Sequence, residues 1–348
     1  MDLSGAPTSL RHILSEMKLS QTTEVHLVAM RGGVQIEYFR PLCSSILTLT
    51  NRTTTGVFTN LALFVNLLLF LYKHKKTSRV LINSTTNLRA MLACKMLGIR
   101  SFVYVRESES MVLQNRLGFL RRYMLRFMTG VICVSHSTAE WVNKHVPSKK
   151  IKVLHNGVDL KNTDILHTIV GVDSPVIGII GSLDYRKGID RFYELIDFCN
   201  NRDVLYRYKI IGDVSEEIYH LSNYKDQFRD AKQVSMTGFI DNVMSEIAEC
   251  SAVVMLSRQE ALPRVILEAG IIGVPVLALD VAGTGEMLPK NYKYLLPETS
   301  NVSILSYALE DLIKKNVDGS IGQSNRKFIK ENFDRQVLVA DLIRYMNL

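Results

Sequence analysis

Acidic residues are scarce in the first half of this 348-residue chain. Residues 1–160 hold 8 Asp and Glu against 21 Lys and Arg, a balance of +13. The remaining residues carry 21 basic and 26 acidic side chains, a balance of −5, so the net charge of +8 conceals two halves of opposite sign. Such asymmetry points to two domains with different partners. A basic face can meet nucleic acid, a membrane surface or a phosphorylated substrate.

Cysteine is also sparse. The five (Cys43, Cys94, Cys133, Cys199, Cys250) are odd in number and scattered, and no pair has metal-ligand spacing. A disulfide scaffold and a structural zinc site are therefore excluded, and a reduced, intracellular protein is expected. No charged-then-apolar leader is expected at the amino end. With 47% apolar and 22% charged residues, the composition excludes a disordered or collagen-like chain. Internal repeats and low-complexity segments are absent.

What is present is a βαβ rhythm, repeated in each half. Strands are expected over 24–30, 45–50, 79–84, 101–105, 130–135 and 152–156, with helices near 8–19, 57–76, 86–97, 109–128 and 136–146. In the second half the expected strands are 176–182, 208–214, 233–239, 252–257 and 274–281. Helices are expected near 187–200, 215–223, 242–250, 263–272, 284–288, 302–315, 322–332 and 335–347. The seam falls at about 160–175, where Gly, Asp, Ser and Pro cluster. The expected division is therefore 1–165, 166–330 and a final helix over 331–348.

The longest apolar run, residues 57–72, is 16 residues long and interrupted by Asn60 and Asn66. A membrane span needs about 20 apolar residues, so this reads as a buried helix of the first sheet. Residues 117–128 can place Leu117, Leu120, Met124 and Phe127 on one face, with Arg121, Arg122 and Arg126 beside or opposite. On its own that pattern suits first an ordinary amphipathic helix with a solvated basic edge, and second an interfacial helix.

The stretch SRQEALPRVILEAGIIGVPVLA (257–278) carries the chemistry. It follows an apolar strand, and Pro263 suits the first turn of a helix. A helix beginning at 262–263 would aim free N–H groups at the strand's carboxyl end, where ligands bind in open α/β sheets and where a phosphate or diphosphate is favoured. Glu260 lies just ahead of that helix and Glu268 inside it. Each carboxylate can accept two hydroxyl hydrogen bonds, from a sugar or a ribose. Alone, two glutamates eight residues apart could equally be a solvated helix edge.

The whole string resembles the E-x7-E signature of the family 4 glycosyltransferases. That resemblance implies the GT-B fold of two facing Rossmann-like domains. GSLDYRKGIDRF (181–192) resembles the element that grips the donor diphosphate, with Gly181 at its loop, Lys187 matching the family lysine and Arg186 as a neighbouring cation. By its composition alone it could be only a charged helix start. Ser182 stands where the family often has arginine. LHNGVD (154–159) resembles the close of the first domain. GFIDNVMSEIAEC (238–250), with Gly238 and Phe239, resembles the loop and helix beside the nucleotide base. DVAGTGEML (280–288), with Gly283 and Thr284, resembles a glycine-rich loop whose amides meet sugar or phosphate. Leu262 and Pro263 belong to the same donor-binding set.

SGAPTSLRHIL (4–14) resembles the glycine loop and first helix of the acceptor domain, with Gly5 bringing a backbone N–H near the diphosphate. A strand precedes that loop in relatives. Met1 falls almost on the loop here, so the domain's first strand is expected to be missing. VYVRESES (103–110) stands where many relatives carry a His-Asp pair. Here Arg106 and Glu107 replace it, and Glu107 either orients an acceptor hydroxyl or joins a strand-end ion pair.

The resemblance implies a retaining glycosyltransferase that transfers a sugar from a nucleotide diphosphate sugar to a hydroxyl of a saccharide or lipid-linked saccharide. Glu260, Lys187 and Arg186 would be catalytic and Glu268 would hold the ribose. The nucleotide sugar is a co-substrate, and neither cofactor nor metal is expected. The basic first domain suggests the inner leaflet of the cytoplasmic membrane as a partner surface, as in bacterial surface-polysaccharide assembly such as lipopolysaccharide or capsule. Nucleic acid is not an expected partner, since the basic half lacks a recognisable binding motif. The alternatives are a GT-B nucleotide-sugar epimerase and a non-catalytic donor-binding subunit.

Overall fold

The structure is a computed structural model that describes residues 5–19, 24–33, 35–50, 56–75, 78–114, 116–160, 174–215, 233–240 and 242–347. The chain divides into two compact units, 1–156 with 335–348, and 157–334. Most of the expected seam, 161–173, and most of the helix expected over 215–223 lie outside the described residues.

The first unit opens with α1 (Gly5–Leu19), so Gly5 begins a helix instead of sitting in a loop. Strand β1 (His26–Ala29) pairs in parallel with β2 (Ser45–Thr48), with the short α2 (Ile36–Phe39) between them in sequence. Then come α3 (Val57–Lys73), β3 (Val80–Ile82), α4 (Leu88–Leu97), β4 (Ser101–Val105), α5 (Glu109–Leu113), α6 (Gly118–Met124), β5 (Gly130–Cys133), α7 (His136–Asn143) and β6 (Ile151–Val153). Strands β3-β4-β5-β6 form a second parallel sheet in that order, separate from the β1-β2 pair. No strand precedes α1 among the described residues. Every residue of β4 and β5 is buried, as strands covered on both faces require. Leu67, Leu71, Met91, Met124 and Trp141 fill the core beside them.

The single helix expected over 109–128 is broken in two. A Cβ on Gly118 would run into the Val112 carbonyl oxygen, so the chain turns sharply between the two pieces and packs them against each other. A helical turn of tighter pitch, Leu125–Phe127, follows α6. The chain returns to this unit as α13 (Arg335–Met346), which packs on α1. Tyr345 Oη there donates to the Lys150 carbonyl at 2.6 Å.

The second unit is one six-stranded parallel sheet. Its strands are β7 (Val176–Ile180), β8 (Arg207–Ile211), β9 (Val234–Met236), β10 (Ala252–Met255), β11 (Val276–Asp280) and β12 (Leu295–Pro297). Their order is β12-β11-β10-β7-β8-β9. Helices α8 (Ile189–Asn200), α9 (Met244–Ala248), α10 (Arg264–Ile272), α11 (Val302–Lys315) and α12 (Ser320–Asn332) accompany it. Phe192 and Tyr208 meet edge to face at 5.9 Å in its core. Residues 282–287, expected in part as a helix, form a tighter helical turn. The chain order reverses between β7 and β10, which makes their carboxyl ends the position where open α/β sheets bind ligands.

Candidate functional site

Four of the loops that leave the carboxyl ends of the second unit's strands carry expected donor-site residues. After β7, Gly181 takes φ 135°, a value that a β-carbon disfavours. A Cβ on Gly212, at the end of β8, would strike the Gly181 carbonyl oxygen, so the two strand ends cross with no room for side chains. The next turn, Tyr185–Lys187, is capped by Asp184, whose Oδ1 accepts from the Lys187 N–H at 2.8 Å. Gly188 ends that turn with φ 74° and begins α8.

The loop after β10 meets this turn directly. The Arg258 N–H donates to the Arg186 carbonyl at 2.8 Å. The Arg258 guanidinium grips Asp190 with two bonds, at 2.8 and 2.6 Å, and lies 3.7 Å from the centre of the Tyr185 ring. Its partnership with Asp190 holds the guanidinium charged, its pKa raised above the ordinary value. Together these contacts fix the loop that bears Glu260 against the turn that bears Lys187.

Glu260 is buried, and its Oε1 accepts from Lys187 Nζ at 2.5 Å and from Ser257 Oγ at 2.9 Å. Arg186, next to Lys187, lies 3.6 Å from Asp184 and donates to the Gln259 carbonyl at 3.4 Å. The two cations expected beside a diphosphate thus hold carboxylates in this structure. Leu262 and Pro263 are buried. Pro263, expected in the first turn of the helix, instead stands one residue ahead of it as the cap, with an extended ψ of 112°, and Arg264 is the first helical residue. Glu268 sits one turn inside α10, where Arg264 donates to its Oε1 at 2.7 Å. The Ile266 N–H donates to the Pro263 carbonyl at 3.3 Å, and the amides ahead of it lie at the end of the helix dipole that favours anions.

The remaining donor candidates surround the same strand ends. Gly238 has φ 65°, Phe239 beside it is exposed, and Gly212 pairs with Gly238 in an isolated bridge. Gly283 and Thr284 are buried in the turn after β11, where Thr284 Oγ1 donates to the Val281 carbonyl at 2.6 Å. Ser182 is exposed.

In the first unit, Arg106 and Glu107 follow β4 and tie strand ends together. Glu107 Oε1 accepts from Ser84 Oγ at 2.5 Å, and Oε2 accepts from Thr85 Oγ1 and the Arg106 N–H at 3.1 and 3.0 Å. Ser84 is held at φ 147°, an unusual backbone value for a residue with a side chain. Arg106 lies over the Tyr104 ring at 3.8 Å and donates to Asn83 and Asn156, both at 2.7 Å.

Sequence reasoning missed the residues that hold these groups: Asp184, Asp190, Ser257, Arg258 and Arg264. All lie inside the two quoted strings, so their proximity to the motif was the available signal. The pairings were not legible, because Arg258 reaches Asp190 across 68 residues and Lys187 reaches Glu260 across 73.

The family model "Glycosyltransferase Family 4" matches residues 4–162 and "Glycosyl transferases group 1" matches 167–335. An uncharacterized glycosyltransferase of Methanocaldococcus jannaschii is 26% identical over 243 residues, which are 68% of this chain and 65% of that protein. A UDP-Gal:alpha-D-GlcNAc-diphosphoundecaprenol alpha-1,3-galactosyltransferase of Escherichia coli is 20% identical over 343 residues, 92% of this chain and 87% of the relative. Among solved structures, HepE of Anabaena, in complex with UDP and glucose, superposes with a TM-score of 0.83 at 17% identity, covering 99% of this chain and 96% of that one. These likenesses show the GT-B fold, built of two Rossmann-like domains.

Proposed function

Because the chain belongs to the family 4 glycosyltransferases, we propose that it moves a sugar from a nucleoside diphosphate sugar to a hydroxyl of a saccharide or lipid-linked saccharide, with retention at the anomeric carbon. The bond between the anomeric carbon and the β-phosphate oxygen breaks, and a bond to the acceptor oxygen forms. The acceptor's proton leaves with the nucleoside diphosphate. The observation that carries this reading is the Lys187–Glu260 pair, fixed where the chain order reverses in the second unit's sheet.

In this reading the second unit holds the donor. Lys187, Arg186 and the first amides of α10 stabilise the charge that grows on the departing diphosphate. Glu260 faces the sugar and Glu268 holds the ribose. These cations supply the charge that a metal would otherwise supply, so the reaction needs neither metal nor cofactor. Gly181, Gly283 and Thr284 line the phosphate and sugar side, Leu262 and Pro263 wall it, and Gly238 with Phe239 borders the base.

The first unit takes the acceptor, with Arg106 and Glu107 at its strand ends. The diphosphoundecaprenol in the name of the E. coli relative and the +13 balance of residues 1–160 both favour a lipid-linked acceptor at the cytoplasmic face of a membrane. In this reading the enzyme works in polysaccharide assembly of the lipopolysaccharide or capsule kind, as a peripheral protein.

A thermal-shift screen against UDP-, GDP- and dTDP-sugars tests the donor. A ligand at about 100 times its Kd should stabilise the chain by roughly 2.7 kcal/mol. Donor-dependent release of nucleoside diphosphate with sugar incorporated into a lipid-linked acceptor tests transfer. Stabilisation by no nucleotide sugar would overturn the reading.

A further inference from the structure

Helix α3 is apolar on its inward face and along an outward stripe, beside which Thr59 and Asn66 are exposed. Its inward face buries Leu63, Leu67 and Leu71 in the first unit's core. Asn60, one of the two polar interruptions, turns inward as well and accepts from Arg89 of α4 at 2.6 Å. At about 100° per residue, Phe58, Leu61, Val65, Leu69 and Tyr72 fall within one narrow stripe on the other side. Their exposure runs from 43% to 90%. An ordinary surface helix keeps charged or polar residues on such a face, and a helix apolar all round is normally covered.

The stripe has neighbours of the same character. Helix α3 packs on α4, and α4 packs on α6. Met96 at the end of α4, and Phe119, Leu120, Tyr123 and Phe127 around α6, are exposed apolar side chains. Cations are interleaved with them. Lys73, Lys75, Lys95 and Arg126 are exposed, and Lys95 sits 3.3 Å from the centre of the Phe127 ring. Between residues 38 and 106 the sequence has ten Lys and Arg and not one Asp or Glu.

What covers the stripe has to be apolar and accept a cationic rim. A second copy of this chain is a poor partner, since pairing the patch with itself would set lysine against lysine. A bilayer span is excluded by length, because no helix among the described residues is long and apolar enough to cross a membrane. An anionic lipid surface meets both demands: acyl chains for the stripe and phosphates for the cations.

We propose that α3 lies flat in the headgroup region of an anionic bilayer, with Phe58, Leu61, Val65, Leu69 and Tyr72 facing the acyl chains and Lys73, Lys75, Lys95 and Arg126 on lipid phosphates. This deepens, and rests on, the reading of the first unit as the one that works at a membrane. It makes α3, more than the arginines of α6, the element that anchors the protein. Arg122 is 3.5 Å from Glu109, and Arg126 in the turn after α6 spends its Nε on the His145 carbonyl at 2.8 Å, so part of the charge of this segment is already engaged.

The test is sedimentation of the full chain with vesicles of phosphatidylcholine containing about one-third phosphatidylglycerol, alongside two variants. Leu61→Asn with Leu69→Asn should weaken partitioning by at least about 10-fold, because each leucine loses its apolar contact with lipid. Replacing Arg121, Arg122 and Arg126 by Gln should weaken it less. Both leucines point outward, so the melting temperature of the first variant should match wild type. As a second measurement, Leu69→Trp should shift its emission to the blue when vesicles are added, against the constant background of buried Trp141. A wild-type chain that ignores anionic vesicles overturns the membrane reading and this inference together. If wild type sediments, the arginine variant fails and the leucine variant sediments equally, the membrane reading stands and α3 is not its anchor. A wild-type dimer that the leucine variant dissociates, with no emission shift from Leu69→Trp on vesicles, makes the stripe a contact between copies and overturns the inference.

Discussion

Lys187 and Glu260 form an ion pair 2.5 Å apart in the second unit, with the lysine on the turn after β7 and the glutamate on the loop after β10. The glutamate side chain is only 9% exposed and the lysine 19%. Family resemblance implies that one meets the diphosphate and the other the sugar. Under the proposed function, phosphate binding to Lys187 would share, or compete for, the contact to Glu260.

Breaking this pair from one side leaves a poorly solvated charge behind. Lys187→Met should lower stability by about 3 kcal/mol, near the lower end for one-sided breaking of a buried pair. Adding Glu260→Gln to Lys187→Met should recover most of that loss, because neither buried charge then remains. A thermal double-mutant cycle measures the coupling, and additive effects would mean that the pair is solvated in solution.

Lys187→Ala should lower kcat more than it raises the donor KM. The negative charge on the diphosphate is greatest when the glycosidic bond is breaking, so the cation acts most strongly there. Steady-state kinetics with a nucleotide sugar separate the two, and an unchanged kcat with raised KM would assign Lys187 to uniform binding. EDTA should leave the wild-type rate largely intact; a loss restored by magnesium or manganese would contradict the metal-free reading.

Glu268→Ala should weaken donor binding by roughly 10–150-fold, the equivalent of about 1.5–3 kcal/mol for a lost charge-assisted hydrogen bond. Arg264 already bonds Glu268 at 2.7 Å and orients it on the helix. Arg264→Ala should therefore show a smaller loss of the same kind. Calorimetric titration with the donor checks both, and a folded Glu268→Ala with unchanged Kd would remove the ribose assignment.

The thiols should be chemically silent. Burial pushes Cys43 up to about 11, and Cys94, Cys133 and Cys250 up to about 12. At neutral pH all four are protonated, and the thiolate is the reactive form. The native protein should resist an aromatic disulfide reagent that labels all five cysteines after unfolding, and reductant should not change its activity. Rapid native labelling of Cys94, Cys133, Cys199 or Cys250, the four buried thiols, would show that the core opens readily.

The alternation of strands and helices was legible because apolar runs such as AVVMLS end in a turn residue and pass into a helical period. The motif after β10 was legible for the same reason. The break between α5 and α6 was not: Leu113 to Leu117 keep a helical composition, and only the close approach of Gly118 to Val112 reveals the turn. The start of α10 was misjudged by one residue, since Pro263 is acceptable both as first helical residue and as cap. Contacts across the sheet were invisible. Nothing near Glu107 in sequence reveals that Ser84 and Thr85, more than twenty positions earlier, occupy its carboxylate. The outward stripe of α3 escaped notice because a one-dimensional apolar run reads the same whether one face or both are covered.

The first unit's sheet comes in two pieces, β1-β2 and β3-β4-β5-β6, whereas the second unit's six strands are continuous. Each of β1 and β3 has a strand neighbour on one side only, so each presents a ladder of backbone groups with no strand partner among the described residues. Two strands of four residues, joined only to each other, can fray and re-form at a fraction of the energy needed to open β4 or β5. The two units therefore differ in mechanical character. The second unit's continuous sheet should deform as a single slab, while the first unit has a fault line beside its most basic segment. Any ligand that bridges those two pieces would gain the stiffness of a whole sheet on binding.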